Sequence, residues 1–344
     1  MFAKLKQQSF AGKASDGNPL TRLLNSKYMG WVGLGIALVA PLIIATNYAL
    51  NIMTTALIFV LLAAGLNIVV GYCGLLDLGY VAFMAVGAYT AGIIAKSFEL
   101  PLLFTVPAVM VMTILAGLII GAPTLRLRSD YLAIVTLGFG EIIRITANNL
   151  TITGGPSGIY GIPGFSIGDL DLDQPVIFYY ITAIVVSLLV LAAARLSKSR
   201  LGRAWRCIRE DEDAAEAMGI HTYKVKLLAY IFGAVWGGLA GVLFAAHLSA
   251  VSPKSFVFLQ SALILMAVVL GGMGNMKGVV VGAVFISLMP EIFRDLSEYR
   301  YVFFGLLLIV VMIIRPQGVW PTRNREPERM EDVMDAKIVQ EARA

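Results

Sequence analysis

The chain has 344 residues, of which 58% are hydrophobic and only 14% charged, with a formal net charge of +5 and a mean hydropathy of +0.80. A soluble domain carries about a quarter charged residues, so this composition excludes a water-facing surface of ordinary extent and leaves little for a separate soluble domain. Lipid is the solvent that tolerates such an apolar excess, and the apolar residues suffice for about ten spans of about 20 residues each.

Ahead of the first apolar run lies a basic, polar leader, residues 1–30, carrying Lys4, Lys6, Lys13, Arg22 and Lys27. Apolar runs then fall at 31–50, 52–72, 81–95, 102–125, 131–147, 176–194, 227–246, 259–270, 279–291 and 301–314. The first is longer than a signal-peptide core and reads as an uncleaved span. The third, eighth and ninth are short or interrupted by glycine, the mark of broken or re-entrant helices. With the N-terminus inside and the spans alternating, 22 Lys/Arg fall on cytoplasmic segments and five elsewhere. That asymmetry favours ten spans with both termini cytoplasmic. The expected fold is an all-α polytopic helical bundle, divided into the leader, a transmembrane region over 31–314 and a cytoplasmic tail over 315–344.

From the end of the second run through the third, Gly71, Gly74, Gly79, Gly87 and Gly92 are irregularly spaced around Asp77, which suggests a broken helix rather than a packing stripe. In the fifth run, Glu141 and Arg144 are three residues apart and share a helix face. They form either a locked internal ion pair or part of a polar pathway, with Asp77 and Asn148 as further pathway candidates. The stretch 149–175 holds Asp169, Asp171 and Asp173 but no Lys or Arg, as suits an external loop.

Residues 195–226 make the long cytoplasmic loop. Arg200 to Arg209 reads as a short basic helix, the acidic residues Glu210 to Asp213 open a second, and Gly219 ends it. Beyond it, Gly233, Gly237 and Gly241 repeat every four residues, as do Gly274, Gly278 and Gly282. Small residues at this spacing let helices approach closely, within the bundle or at a contact with another subunit. Cys73 and Cys207 stand far apart, and His221 and His247 are the only histidines, so neither a disulfide framework nor a metal site is expected. No G-x-x-x-x-G-K-[ST] is present, so this chain is expected to bind no nucleotide cofactor. The basic excess reports orientation in lipid rather than a nucleic-acid partner.

Asp213, Ala214, Ala215 and Gly219 form D-A-A-x-x-x-G, similar to the E-A-A-x-x-x-G core of ABC-importer permeases, with Asp in place of Glu and without the I-x-L-P that follows there. The surrounding L-G-R-A-W-R-C-I-R-E-D-E, with Arg203, Arg206, Arg209 and Glu210, resembles the same loop of branched-chain amino acid permeases. So do G-L-L-D-L-G-Y-V-A-F from Gly74, L-R-L-R-S-D-Y-L-A-I-V-T-L-G-F-G-E-I-I-R from Leu125, I-T-G-G-P-S-G-I from Ile152, V-S-P-K-S-F from Val251, V-V-L-G-G-M-G from Val268 and R-P-Q-G from Arg315. The blocks from Leu125 and Ile152 are highly similar to the M-type subunit of that family, and together the blocks cover most of 71–318 in family order.

The resemblance implies a non-enzymatic permease in the bacterial inner membrane, taking up leucine, isoleucine and valine. It implies a homologous second permease as heterodimer partner, two cytoplasmic ATPase subunits that hold ATP and Mg, and an extracytoplasmic substrate-binding protein. The 195–226 loop would be the segment that couples to the ATPases. Related permeases for urea or short amides remain an alternative, an ion-coupled secondary transporter would leave the loop unexplained, and a polytopic enzyme lacks a catalytic cluster.

Overall fold

A computed structural model describes residues 46–125, 129–167, 170–171 and 174–292, with isolated positions at 302, 305, 306, 309, 313 and 320. The leader, residues 31–45 of the first apolar run, most of the tenth, all of the tail except Trp320, and Arg126, Arg128, Asp169 and Asp173 lie outside the described residues.

The chain is an all-α polytopic membrane protein. Its helices are α1 (Asn47–Leu66, extended by a π-helical turn Asn67–Tyr72), α2 (Val81–Phe98), α3 (Leu102–Thr124), α4 (Ser129–Asn149) and α5 (Pro175–Leu196). There follow α6 (Arg200–Glu210), α7 (Glu212–Ala217), α8 (Thr222–Leu248), α9 (Phe258–Gly271) and α10 (Met276–Ile292). Among the described residues, six stretches are long and apolar enough to cross a membrane: Asn47–Tyr72, Val81–Phe98, Leu102–Thr124, Pro175–Leu196, Thr222–Leu248 and Pro253–Gly271.

Two boundaries differ from those expected. The second run begins at Asn47, so the last residues of the first apolar run belong to α1. The third run is itself an unbroken helix of 18 residues; the break precedes it, at 73–80, where Gly74 takes a positive φ of 76° that a side chain would strain. The eighth and ninth runs are separate helices joined through Gly272 and Gly274, both at positive φ.

Helix α8 lies at the centre and packs on α1, α2 and α3. Tyr80, fully buried, donates its hydroxyl proton to the Gly233 carbonyl at 2.8 Å, so its polar end is satisfied inside the bundle. Phe83 meets Tyr230 edge to face at 5.4 Å, and the Trp236 indole donates to the Leu189 carbonyl at 3.3 Å. At the far end of α8, strand β4 (Ala250–Val251) pairs antiparallel with β1 (Ile159–Tyr160), fastening the loop after α4 to the bundle; β2 (Ser166–Ile167) pairs with β3 (Leu170–Asp171).

Candidate functional site

The 195–226 loop folds as two short helices clamped to the bundle. Ser199 caps α6 by accepting the Gly202 amide proton at 3.3 Å, and α6 buries Gly202, Trp205 and Ile208 on one face. This spacing of three turns the arginines outward. Arg203 donates to the Lys198 carbonyl at 3.1 Å and Arg206 to the Ser197 carbonyl at 3.1 Å, so both cations sit at the carbonyl end of α5, where the helix dipole favours them. Asp211 caps α7 by accepting from the Ala214 amide at 2.9 Å, and Gly219 turns the chain away with φ of 83°. Of the α7 region, Ala215 is buried, whereas Glu210, Asp213, Ala214, Glu216 and Gly219 are exposed; Met218 is 84% exposed.

Three contacts tie this loop to the spans. The fully buried Trp205 donates its indole proton to the Val225 carbonyl at 2.8 Å. Lys226, buried at the start of α8, pairs with Glu212. Arg209 donates to the Gly71 carbonyl in the π-helical turn of α1, and its side chain lies where a Cβ on Gly74 would come within 2.8 Å of it. A displacement of α6 therefore bears directly on the end of α1 and on the unwound segment that follows.

Three amides of that segment and of the first residue of α2 find side-chain acceptors, while Asp77 Oδ2 is buried without a hydrogen-bond partner among the described residues. The fully buried Asp77 accepts the Gly79 amide at 2.8 Å through Oδ1, Thr136 of α4 accepts from Leu78 at 3.1 Å, and Ser261 of α9 accepts from Val81 at 3.0 Å. These are amides at the start of α2, which no intrahelical carbonyl can serve. A Cβ on Gly79 would overlap the Thr136 carbonyl, so only glycine permits this approach of loop to helix. Behind it, Asn67 Oδ1 accepts from the Gly274 amide at 2.9 Å, linking the π-helical turn to the α9–α10 turn. Cys73 is buried between these parts, and burial pushes its thiol up to about 12, whereas Cys207 is exposed on α6.

Helix α4 presents a different surface. It buries Leu132, Ala133, Thr136 and Ala147, and exposes Tyr131, Ile134, Ile142 and Ile145 on its other side. Arg144 Nε donates to Glu141 Oε1 at 2.9 Å, with Nη2 on the same oxygen, and the two side chains are 29% and 40% exposed respectively. An unshielded charge at the centre of a span is unfavourable by about 2.5 to 3.5 kcal/mol or more, and here the two charges neutralise each other. Asn148 lies near the end of α4, half-buried, and Thr153 closes that end by donating to the Ala147 carbonyl at 2.6 Å. The structure brings Asp77 beside α4 through Thr136 and Gly79, but it leaves Asp77 sealed and Glu141 and Arg144 open.

The glycines meet neighbours inside this chain. A Cβ on Gly233 would overlap Val69, one on Gly237 would stand 2.9 Å from the Phe83 Cβ, and one on Gly241 would overlap the Met84 carbonyl. Gly278 and Gly282 of α10 face Gly271 and Ala267 of α9 as closely, whereas Gly274 lies in the turn with φ of 85°. Sequence reasoning missed Trp205, Lys226, Thr136, Ser261 and Asn67. The partners of the last three lie 58, 180 and 207 residues away, and no local pattern marks them; Trp205 and Ile208, three apart, carried a legible amphipathic signal. Among the described residues, no group of three or more His, Cys, Asp or Glu is placed to hold a metal ion.

The family model described as branched-chain amino acid transport system, permease component, matches residues 48–312. The high-affinity branched-chain amino acid transport system permease protein LivM of Escherichia coli K12 is 40% identical over 314 residues, covering 84% of this chain and 74% of that protein. LivM of Salmonella typhimurium is 41% identical, covering 84% of this chain and 73% of its own length. The permease protein LivH of Escherichia coli K12 is 32% identical over 123 residues, covering 35% of this chain and 40% of that protein. No solved structure matches the chain. A multi-pass helical chain with a clamped loop between two of its spans, matched over most of its length, belongs to the family of branched-chain amino acid transport system permease components, and its role is transport rather than catalysis.

Proposed function

We propose that the chain is the membrane half of an ATP-driven importer of leucine, isoleucine and valine in the bacterial cytoplasmic membrane. It works beside a homologous second permease, two ATPase subunits that bind ATP and Mg, and an external binding protein that delivers the amino acid. The likeness to LivH over part of the chain supports a pair of related permeases. The observation that carries the reading is the 195–226 loop: two capped helices, fixed to the spans by Trp205, Arg209 and the Glu212–Lys226 pair, with an exposed outer surface. In this reading Arg203, Arg206 and Arg209 fix the loop, Ala215 anchors α7, Gly219 ends it, and Glu210, Asp213 and Ala214 face the ATPase. Gly233, Gly237, Gly241, Gly278 and Gly282 hold the bundle together, and Gly274 shapes a turn. Ten spans with both termini inside remain the best account of the 22 to five partition of Lys and Arg.

Asp213→Lys combined with Glu216→Lys changes exposed residues and spares the clamp. Copurification of the ATPases is expected to fall roughly ten-fold or more, while the permease still inserts; a drop of one charge-complementary contact suffices for that. Copurification at the wild-type level would remove α7 from the docking surface. Orientation has its own check: a membrane-impermeant maleimide should label Cys207 in inverted vesicles and not in right-side-out ones, with the buried Cys73 silent in both.

A further inference from the structure

We infer that the open face of α4 reads both charges of the transported zwitterion, Arg144 taking its carboxylate and Glu141 its ammonium, with Ile142 and Ile145 beside its branched side chain. This rests on the import of branched-chain amino acids proposed above.

Two other acidic groups near the spans are less open to a substrate, Asp77 because it is sealed inside the bundle even though its Oδ2 has no hydrogen-bond partner among the described residues. Asp77 is fully buried and accepts the Gly79 amide at the head of α2, and Glu212 pairs with the buried Lys226 to hold the loop. The Glu141–Arg144 pair is bound differently. Both Arg144 bonds fall on Oε1 of Glu141, leaving Oε2 and Nη1 outside the pair, and both side chains are partly exposed. One helical turn away, Gly138 has no atom within 4 Å of where its Cβ would stand, so there is open space against the pair. Ile142 and Ile145, 58% and 46% exposed, border it with apolar surface.

A zwitterion complements such a site. Its carboxylate can take the free edge of the guanidinium in a charge-assisted bond, and its ammonium can take the second carboxylate oxygen. Net charge in the site does not change as the substrate arrives or leaves, so the charged ends cross without a co-transported ion. In the empty state the two protein charges satisfy each other, which keeps the site from holding an uncompensated ion in low dielectric. An uncharged amide such as urea offers neither end. The second permease closes the space opposite and keeps lipid from the pair.

The test uses vesicles holding the whole complex, with binding protein, internal ATP and labelled leucine. If the wild-type complex takes up no leucine, the import reading falls and this site with it. With wild-type uptake established, Glu141→Gln, Arg144→Gln and the double variant are each expected to slow uptake roughly ten-fold or more, with the ATPases still copurifying. A double variant that recovers toward the wild-type rate while the single variants stay slow would show a purely structural pair and overturn the site alone. Should the charge variants fail to accumulate, Ile142→Cys and Ile145→Cys in a Cys207→Ser chain decide it. Labelling by a hydrophilic maleimide, slowed by leucine during ATP-driven turnover, supports a water-filled substrate path along α4. No labelling at either position would place the face against lipid or a dry interface and overturn the proposal.

Discussion

Helices α8 and α4 meet their surroundings in opposite ways. Along α8 the glycines at 233, 237 and 241 admit neighbours so closely that a single methyl group would collide with Val69, Phe83 or the Met84 backbone. Along α4, Gly138 has nothing within 4 Å of an added Cβ, and a partly exposed ion pair follows one turn later. Backbone-to-backbone packing in lipid replaces the hydrophobic drive that water supplies elsewhere, and it leaves one arrangement available. The α1–α2–α8 core is thus closely packed, whereas α4 carries the open face proposed to meet the substrate. The 195–226 loop grips this core at the π-helical turn of α1, next to the unwound segment that also touches α4.

The sharpest way to break this contrast is to put a side chain on each kind of glycine. Gly241→Leu drives its side chain into the Met84 carbonyl and the Ala88 amide, and is expected to destabilise by about 4 kcal/mol or more. The permease should then vanish from membrane fractions; normal abundance would refute the tight core. Next in size is Trp205→Ala, which empties a fully buried site and removes the bond to Val225. It should weaken the fold by about 3 to 5 kcal/mol, and because the indole holds α6, proteolysis within 195–226 should accelerate before the spans melt. An unchanged cleavage rate would detach Trp205 from the clamp.

Asp77→Ala removes the acceptor for the Gly79 amide and should lower thermal stability in detergent by about 1 kcal/mol. Asp77→Asn keeps an amide oxygen for the same bond and should lose less. Equal losses would indicate that the charge itself matters more than the cap. Smallest of all, Gly138→Ala should leave abundance and melting within about 0.5 kcal/mol of wild type; a large loss there would mean that α4 is as closely packed as α8.

Much of this contrast was written locally in the sequence. Apolar runs with helical length mark the spans, the three-residue spacing of Glu141 and Arg144 places them on one face, and the Ser199 and Asp211 caps sit where composition punctuates the loop. What stayed hidden depends on residues distant in the chain. Asp77 reads as a pathway candidate because a carboxylate in an apolar stretch demands a reason. Its role at the head of α2 emerges only when Thr136 and Ser261 arrive from α4 and α9 to cap the adjoining amides. Likewise Gly71 and Gly74 read as signs of a broken helix, and nothing near them in sequence announces that Arg209 bonds the Gly71 carbonyl and fills the space beside Gly74. The start of α1 at Asn47 was obscured because apolar residues continue from the first run into the second, with little change in hydropathy to mark the edge.

Import of a branched-chain amino acid at the expense of ATP hydrolysed on partner subunits is the proposal on which the roles of the loop and of α4 depend. Uptake into vesicles carrying the full complex, with binding protein outside and ATP inside, measures it most directly. Leucine should accumulate only when ATP and binding protein are both present, and urea should not accumulate. Leucine accumulation driven by an ion gradient without ATP, or accumulation of urea in place of leucine, would contradict it.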